Sequence, residues 1–269
     1  MREQLDRSQG VEALSRSRRR AEKHLETIRA ALGELDFAYG VNHHKERCRQ
    51  LIRSNGFTTV CEIGGGRSPL FSRDEALAMG LDYTILDISA TELGAAPDHV
   101  KKVQADIGAL DLQTSGRYDF MFSRMLAEHV RDATAMHRNV LHMLRPGGVA
   151  FHYFPTLYTP AFVANRLLPE GASRRLLFFI FPWRRHEHLA KFPAHYAKCF
   201  GPTRRMQRYF ERLGYLLEEY RPFYGTDYLL KFPVLGFVDS LFTRMVARRR
   251  SALFTSYVWL VLRKPAIEQ

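Results

Sequence analysis

The chain contains 269 residues, of which 46% are hydrophobic and 12% are aromatic. This apolar content is enough for a packed core, and it excludes a disordered chain, a collagen-like fibre and a low-complexity scaffold. Forty Lys and Arg residues against 28 Asp and Glu give a net charge of +12. This charge suits nucleic acid, an anionic membrane surface or an acidic substrate as partner, or it serves solubility alone.

The first part of the chain is charged but periodic. Apolar residues recur there at helical spacing, namely Leu25, Ile28, Leu32 and Leu35. This pattern predicts an N-terminal helical arm over residues 1–52. Near its end we expect a helix that begins at Asn42 as N-cap and stops at Asn55, where Gly56 would adopt a left-handed cap.

Short β-rich runs then alternate with helical stretches. Strands are predicted over residues 58–63, 83–88, 100–103, 118–122 and 149–154, and two more over 215–221 and 256–263. Strands that alternate with helices in this way require right-handed crossovers and a parallel sheet. The core is therefore predicted to be a doubly wound α/β domain of the Rossmann-like type.

Acidic residues and glycines follow the first three strands. Gly64, Gly65 and Gly66 come directly after the first strand, where a ligand can approach the backbone closely and a helix N-terminus offers N–H groups. Asp87 ends the second strand at the distance expected for a carboxylate that contacts ribose hydroxyls. Asp106 follows the third strand and is placed to reach an adenine amino group. This arrangement predicts a nucleoside-containing ligand.

Glu62 separates two kinds of nucleoside ligand. In a dinucleotide dehydrogenase, the glycine turn receives a pyrophosphate, which a carboxylate at this position would repel. A ligand with an ammonium group beside a carboxylate would instead be attracted. S-adenosylmethionine carries such an end.

The sequence resembles the class I S-adenosylmethionine-dependent methyltransferases of the type 11-like kind. The matching segments are residues 60–66, 86–89, 105–107, 118–130 and 144–148. The resemblance implies a seven-stranded sheet whose last strand lies antiparallel between the fifth and the sixth. It also implies S-adenosylmethionine as the cofactor.

The resemblance carries roles over to individual residues. The methionine moiety would contact Glu62 and the turn formed by Gly64, Gly65 and Gly66. The nucleoside would contact Asp87, Ile88, Asp106 and Ile107, and Ser123 and Met125 would border the cofactor after the fourth strand. Ser68 and Pro69 depart from the family pattern, in which another glycine is frequent, so contacts by the adjoining residues are not assigned.

Transfer to an oxygen nucleophile requires a base as well as alignment. His129, which follows Glu128 where the family's acceptor site opens, is the favoured candidate, and His152 and Tyr153 are further candidates. Two alternatives stay open: His129 has only a structural role, or Glu128 and His129 ligate a metal. No third ligand is evident, so no metal site is predicted.

The insertions after the fifth strand are expected to select the acceptor. We divide the chain into an arm (1–52), a cofactor-binding core (53–155), a helical lid insertion (156–213) and C-terminal strands with a helical insertion (214–269). Apolar runs edged by arginine in these insertions either form a lid or meet an anionic membrane. The expected reaction is O-methylation of a small or lipid-linked hydroxyl acceptor, including a glycan intermediate.

Two other function classes remain. A basic chain favours phosphates, so an RNA or other nucleic-acid methyltransferase is the main alternative. However, methylases that act on the amino groups of bases carry an Asp or Asn followed by two prolines and an aromatic residue at the end of the fourth strand. Residues 122–125 do not match this motif. The second alternative is an inactive methyltransferase-like binding subunit.

Cysteine usage and hydropathy indicate the compartment. The three cysteines, Cys48, Cys61 and Cys199, form no CxxC pair, and no run approaches the roughly 18 apolar residues of a spanning helix. The charged N-terminus lacks the apolar core of a signal peptide. We therefore expect a cytoplasmic protein that associates at most peripherally with the inner face of the membrane. The sequence does not set the oligomeric state.

Overall fold

The computed structural model describes residues 27, 30–109, 116–167, 171, 175, 193–229 and 232–266. Two of the four residues that predict the N-terminal arm, Leu25 and Ile28, lie outside this range. The arginine cluster at residues 18–20 of the arm, and most of the apolar run at residues 174–185 that arginine pairs flank, also lie outside this range.

Seven strands form one mixed sheet. They are β1 (Thr59–Ile63), β2 (Asp82–Asp87), β3 (Lys101–Gln104), β4 (Tyr118–Arg124), β5 (Leu144–Pro155), β6 (Leu216–Phe223) and β7 (Tyr257–Arg263). Their order is β3-β2-β1-β4-β5-β7-β6. β1 to β5 pair in parallel, whereas β7 pairs antiparallel with both β5 and β6. The predicted Rossmann-like sheet, with its last strand inserted antiparallel, is confirmed.

Seven helices accompany the sheet in the described part of the chain. They are α1 (Phe37–Asn55), α2 (Arg73–Ala78), α3 (Ala90–Gly94), α4 (Ala133–Met143), α5 (Pro160–Leu167), α6 (Arg204–Arg212) and α7 (Pro233–Arg248). Two 3-10 turns lie at Gly33–Leu35 and Ala127–His129. None of the described helices is both long enough and apolar enough to cross a membrane. The predicted division into four segments stays a prediction.

Helix α1 begins six residues earlier than the sequence predicts. Asp36, rather than Asn42, is its N-cap, and the Asp36 carboxylate accepts a hydrogen bond from the Ala38 N–H at 2.7 Å. The buried stripe of the helix continues backwards through Gly40 to Phe37, so packing extends the helix beyond the predicted cap. Its end is as predicted, with Gly56 in the left-handed conformation at φ 67°.

Helix α1 covers the face of the sheet formed by β5, β6 and β7. The His44 ring stacks on Phe151 of β5 with their centroids 5.0 Å apart, and Cys48 is fully buried. Because β1, β2 and β4 are parallel neighbours, their carboxyl ends meet at one edge of the sheet. The connections that leave this edge form the candidate site.

Candidate active site

The glycine turn after β1 has backbone geometry that favours glycine. Gly64 and Gly66 have φ values of 75° and 51°, in the region that residues with a Cβ rarely adopt. The Gly64 N–H donates to the Leu86 carbonyl of β2 at 2.8 Å. A Cβ on Gly64 would lie 2.7 Å from Cδ1 of Leu126. The turn is therefore held between the ends of β2 and β4.

Glu62 lies beneath this turn and is almost fully buried. Its carboxylate accepts hydrogen bonds from the Tyr83 hydroxyl and from the Leu70 N–H, the latter at 2.9 Å. Burial raises the pKa of the Glu62 carboxyl, and these two bonds oppose that rise. A Cβ on Gly65 would lie 2.9 Å from Cδ of Glu62. Glu62 thus packs against the turn and stabilises it. Its contact with a methionine moiety stays a prediction.

Asp87, at the end of β2, faces the glycine turn. Its Oδ1 accepts a hydrogen bond from the Ser89 N–H at 2.9 Å. Its Oδ2 lies 3.5 Å from the position that a Cβ on Gly66 would occupy. The next residue, Ile88, is 65% exposed. The structure thus brings a carboxylate oxygen of Asp87 to the turn, and the contacts of Asp87 and Ile88 with a ribose and its base stay predictions.

Asp106 reaches the same edge through the chain beside Asp87, because the Ala105 N–H donates to the Asp87 carbonyl at 3.0 Å. Oδ1 of Asp106 accepts from the Gly108 N–H at 2.8 Å. Ile107 is buried, and its carbonyl accepts from the Asn139 side chain. Any contact of Ile107 with an adenine would therefore be made by its main chain.

Ser123 and Met125 differ in their access to the site. Ser123 is fully buried, and its hydroxyl bonds to Nδ1 of His152 at 2.8 Å, so its side chain is engaged within the protein. Met125 is 40% exposed and has a φ of 54°. A non-glycine residue in this conformation costs about 1–2 kcal/mol, and such residues cluster at functional sites.

His129 closes the 3-10 turn that follows β4. Its Nδ1 lies 3.0 Å from the Pro193 carbonyl oxygen. Because a carbonyl only accepts, Nδ1 carries the proton, and Nε2 of the neutral ring is the basic nitrogen. Nε2 lies 3.7 Å from Oε1 of Glu128, and the His129 side chain is 32% exposed. The imidazole is thus fixed in orientation at the open edge of the sheet.

Glu128 and Tyr153 are buried rather than exposed to an acceptor. Neither Oε2 of Glu128 nor the Tyr153 hydroxyl has a hydrogen-bond partner among the described residues. Burial raises the pKa of the Glu128 carboxyl to about 8. Burial also raises the pKa of the Tyr153 phenol, with a further contribution from Glu128. His152 is likewise buried, so His129 is the most accessible of the four predicted catalytic candidates.

The sequence did not identify several residues that hold the site in place. Tyr83 orients Glu62, Leu126 packs against the glycine turn, and Arg67 pairs with Glu92 of α3 through two hydrogen bonds of 2.7 and 2.6 Å. The two residues of that ion pair are 25 positions apart, so no local sequence pattern indicates that they pair. The described residues contain no group of three His, Cys, Asp or Glu side chains that could hold a metal ion.

Substitution of Gly64 by alanine tests the turn. We expect the free energy of unfolding to fall by about 1–2 kcal/mol, because alanine resists the left-handed backbone. Displacement of Leu126 is an overpacking that costs about 1–3 kcal/mol, so it should also weaken cofactor binding about tenfold. Gly80→Ala is the matched control, since Gly80 has a φ of 64° and no other atom lies within 4 Å of the position that its Cβ would occupy. Equal cofactor affinity in both variants, measured by calorimetry, would contradict the close packing at Gly64.

Glu128 should make the protein less stable as the pH rises. Below about pH 4.3 the carboxyl is protonated in both the folded and the unfolded state. Between there and pH 8 only the unfolded state releases the proton, so stability falls until the folded carboxyl titrates near 8.

Urea denaturation of the wild type and Glu128→Gln would measure this effect. From pH 6.5 to 8 the wild type should lose roughly 1–2 kcal/mol relative to the variant. Burial lowers the pKa of His44 to about 3 and that of His137 to about 4, so both rings stay neutral in the folded protein over this window. Parallel stability curves would mean that the Glu128 carboxyl is already ionised in the folded protein.

Comparison with known proteins identifies the family. Residues 17–220, more than half of the chain, match the family model described as a methyltransferase domain. No curated protein matches the chain significantly. Among solved structures, the chain is similar to a putative sarcosine dimethylglycine methyltransferase from Galdieria sulphuraria, with 13% identity and a TM-score of 0.48 over 83% of this chain and 86% of that chain.

A second similar structure is an S-adenosylmethionine-dependent methyltransferase from Mesorhizobium loti, with 18% identity and a TM-score of 0.45 over 77% of this chain and 91% of that chain. These structural similarities are remote, so the assignment depends on the family model and agrees with the motifs that the structure gathers at one sheet edge. The predicted family and cofactor are confirmed. The chain belongs to the class I S-adenosylmethionine-dependent methyltransferases.

Proposed function

We propose that this methyltransferase methylates a hydroxyl group of a small or lipid-linked acceptor, with His129 as the general base. The observation that carries the proposal is the hydrogen bond from His129 Nδ1 to the Pro193 carbonyl. It makes Nε2 the basic nitrogen of a partly exposed imidazole directly after β4. Methylation of a hydroxyl requires such a base, because the oxygen must lose its proton as the new bond forms.

The described residues fit the cofactor. Gly64 and Gly66 form a tight turn in the left-handed conformation, and Oδ2 of Asp87 lies beside Gly66, suited to a ribose hydroxyl. Ile88 offers an exposed apolar surface for the adenine, and Asp106 a carboxylate for its amino group. When bound, S-adenosylmethionine supplies a methyl group on a positively charged sulfur.

The residues of this chain would then act on the acceptor. The site aligns the acceptor oxygen with the methyl carbon, and Nε2 of His129 takes the hydroxyl proton. The bound cofactor would supply the methyl carbon for the new bond to that oxygen, and it would leave as S-adenosylhomocysteine with the electron pair of the carbon–sulfur bond. The imidazolium so formed lies near Glu128, whose carboxyl stabilises the positive charge when it ionises.

The acceptor class can be tested with a cofactor that carries a labelled methyl group. The protein is incubated with cell extract, which is then separated into lipid, glycan, nucleic-acid and small-molecule fractions. The proposal expects label in the lipid, glycan or small-molecule fraction, in a product that resists mild alkali as an ether does. Label in ribonuclease-sensitive material would favour a nucleic-acid methyltransferase, and cofactor binding without any transfer would favour an inactive binding subunit.

A further inference from the structure

Helix α7 carries its large apolar side chains on the outside. Six of them are between 44% and 76% exposed, namely Val234, Leu235, Phe237, Val238, Leu241 and Met245. With 3.6 residues per turn, all six fall on one side of the helix. We call this set the outer face of α7. Phe254, just beyond the helix, is also exposed, and its ring centroid lies 5.6 Å from that of Phe242 of α7.

The opposite side of α7 packs on the protein with smaller residues. Gly236, Ser240, Thr243 and Ala247 are buried there. Cγ2 of Thr243 lies 3.4 Å from the position of a Cβ on Gly225, and Tyr224 and Val246 share a small buried cluster. A helix that served only the core would bury its large apolar residues and expose its polar ones. This inversion marks the outer face as an interaction surface.

Positive charge borders the outer face. Arg244 and Arg248 lie along one edge of the apolar stripe, and Arg249 and Arg250 follow at its end. Within the described part of the chain, none of these four guanidinium groups forms an ion pair. Asp239, the one acidic residue between positions 233 and 250, lies on the opposite edge, and burial raises its pKa to about 6.

We propose that the outer face of α7 docks on an anionic phospholipid surface, with the helix parallel to the membrane plane. Apolar side chains would enter the boundary of the acyl chains while the arginines meet lipid phosphates. A second copy of this chain fits less well, because four arginines border this face and only one acid, Asp239, is there to pair with them. The inference does not depend on the acceptor proposed above, since docking needs neither cofactor nor acceptor.

Vesicle flotation tests the proposal on the full chain without cofactor. The probes are phosphatidylcholine vesicles with and without phosphatidylglycerol, at low and high salt. We expect binding to the anionic vesicles only, weakened by salt. Replacing Arg248, Arg249 and Arg250 by glutamine should lower the partition coefficient roughly a hundredfold. The matched control replaces Arg204, Arg205 and Arg208, which are exposed on α6, and should change it far less.

A second pair of variants tests the apolar part. Val238→Ser with Leu241→Ser should reduce binding roughly tenfold or more, whereas Leu77→Ser, at a residue that is 72% exposed on α2, should not. The melting temperature should be the same in the outer-face variant, in Leu77→Ser and in the wild type.

Four results would overturn the proposal. The first is that the protein does not bind anionic vesicles at low salt, and the second is that the α6 control variant loses as much vesicle binding as the α7 variant. The third is a lowered melting temperature of the outer-face variant. The fourth is a dimer in analytical ultracentrifugation that the outer-face variant no longer forms.

Discussion

Substitution of Asp87 by alanine is expected to weaken S-adenosylmethionine binding by about a hundredfold or more. The Asp87 carboxylate is placed to accept charge-assisted hydrogen bonds from ribose hydroxyls, and each such bond contributes about 1.5–3 kcal/mol. Isothermal titration calorimetry with the cofactor alone measures the effect. The result does not require knowledge of the acceptor.

Two further variants separate ligand contact from damage to the fold. Asp82→Ala removes a carboxylate from the other end of β2, where it forms an exposed ion pair with Lys101, so cofactor affinity should be unchanged. Asp87→Asn keeps an oxygen for the Ser89 N–H and should retain part of the affinity. Wild-type affinity in Asp87→Ala would show that the cofactor is bound elsewhere.

Replacement of His129 by glutamine is expected to slow methyl transfer by about 10²- to 10⁴-fold while cofactor affinity stays unchanged. Loss of a positioned general base has effects of this size. Glutamine retains an N–H that can donate to the Pro193 carbonyl, so the turn is preserved. Transfer of labelled methyl into the fraction that the wild type labels would measure the rate.

His142→Gln is the control for this substitution, because His142 is exposed near the end of α4. It should transfer methyl at the wild-type rate. If His129→Gln also does so, His129 has a structural role and the acceptor does not need a side-chain base. If His129→Gln loses cofactor affinity instead, its imidazole belongs to the donor side of the site.

The sheet and its cofactor edge could be predicted because the signals are local. Each strand is a short β-rich run, and Glu62, Asp87 and Asp106 each lie at or just beyond the end of one of them. Parallel topology then brings the ends of neighbouring strands together without any further information. For this reason the sequence predicts that these three residues lie close together, although it does not predict their individual atomic contacts.

Contacts between distant segments could not be predicted. The bond from Tyr83 to Glu62 and the packing of Leu126 on Gly64 depend on side-chain directions that the folded sheet sets. The start of α1 at Phe37 depends on packing that overrides the local cap signal at Asn42. The sequence also leaves open which side of α7 meets the protein, because both sides carry apolar residues.

The bond between His129 and Pro193 joins parts of the chain that are 64 residues apart. The same turn is fixed again through its backbone, since the Glu128 carbonyl accepts from the His195 and Tyr196 N–H groups at 2.7 and 3.1 Å. The position of the proposed base thus depends on the segment around residue 195. In protein engineering, an acceptor-selecting insertion grafted from a relative would have to be exchanged together with residues 126–130, or the imidazole would lose the anchor that sets its tautomer.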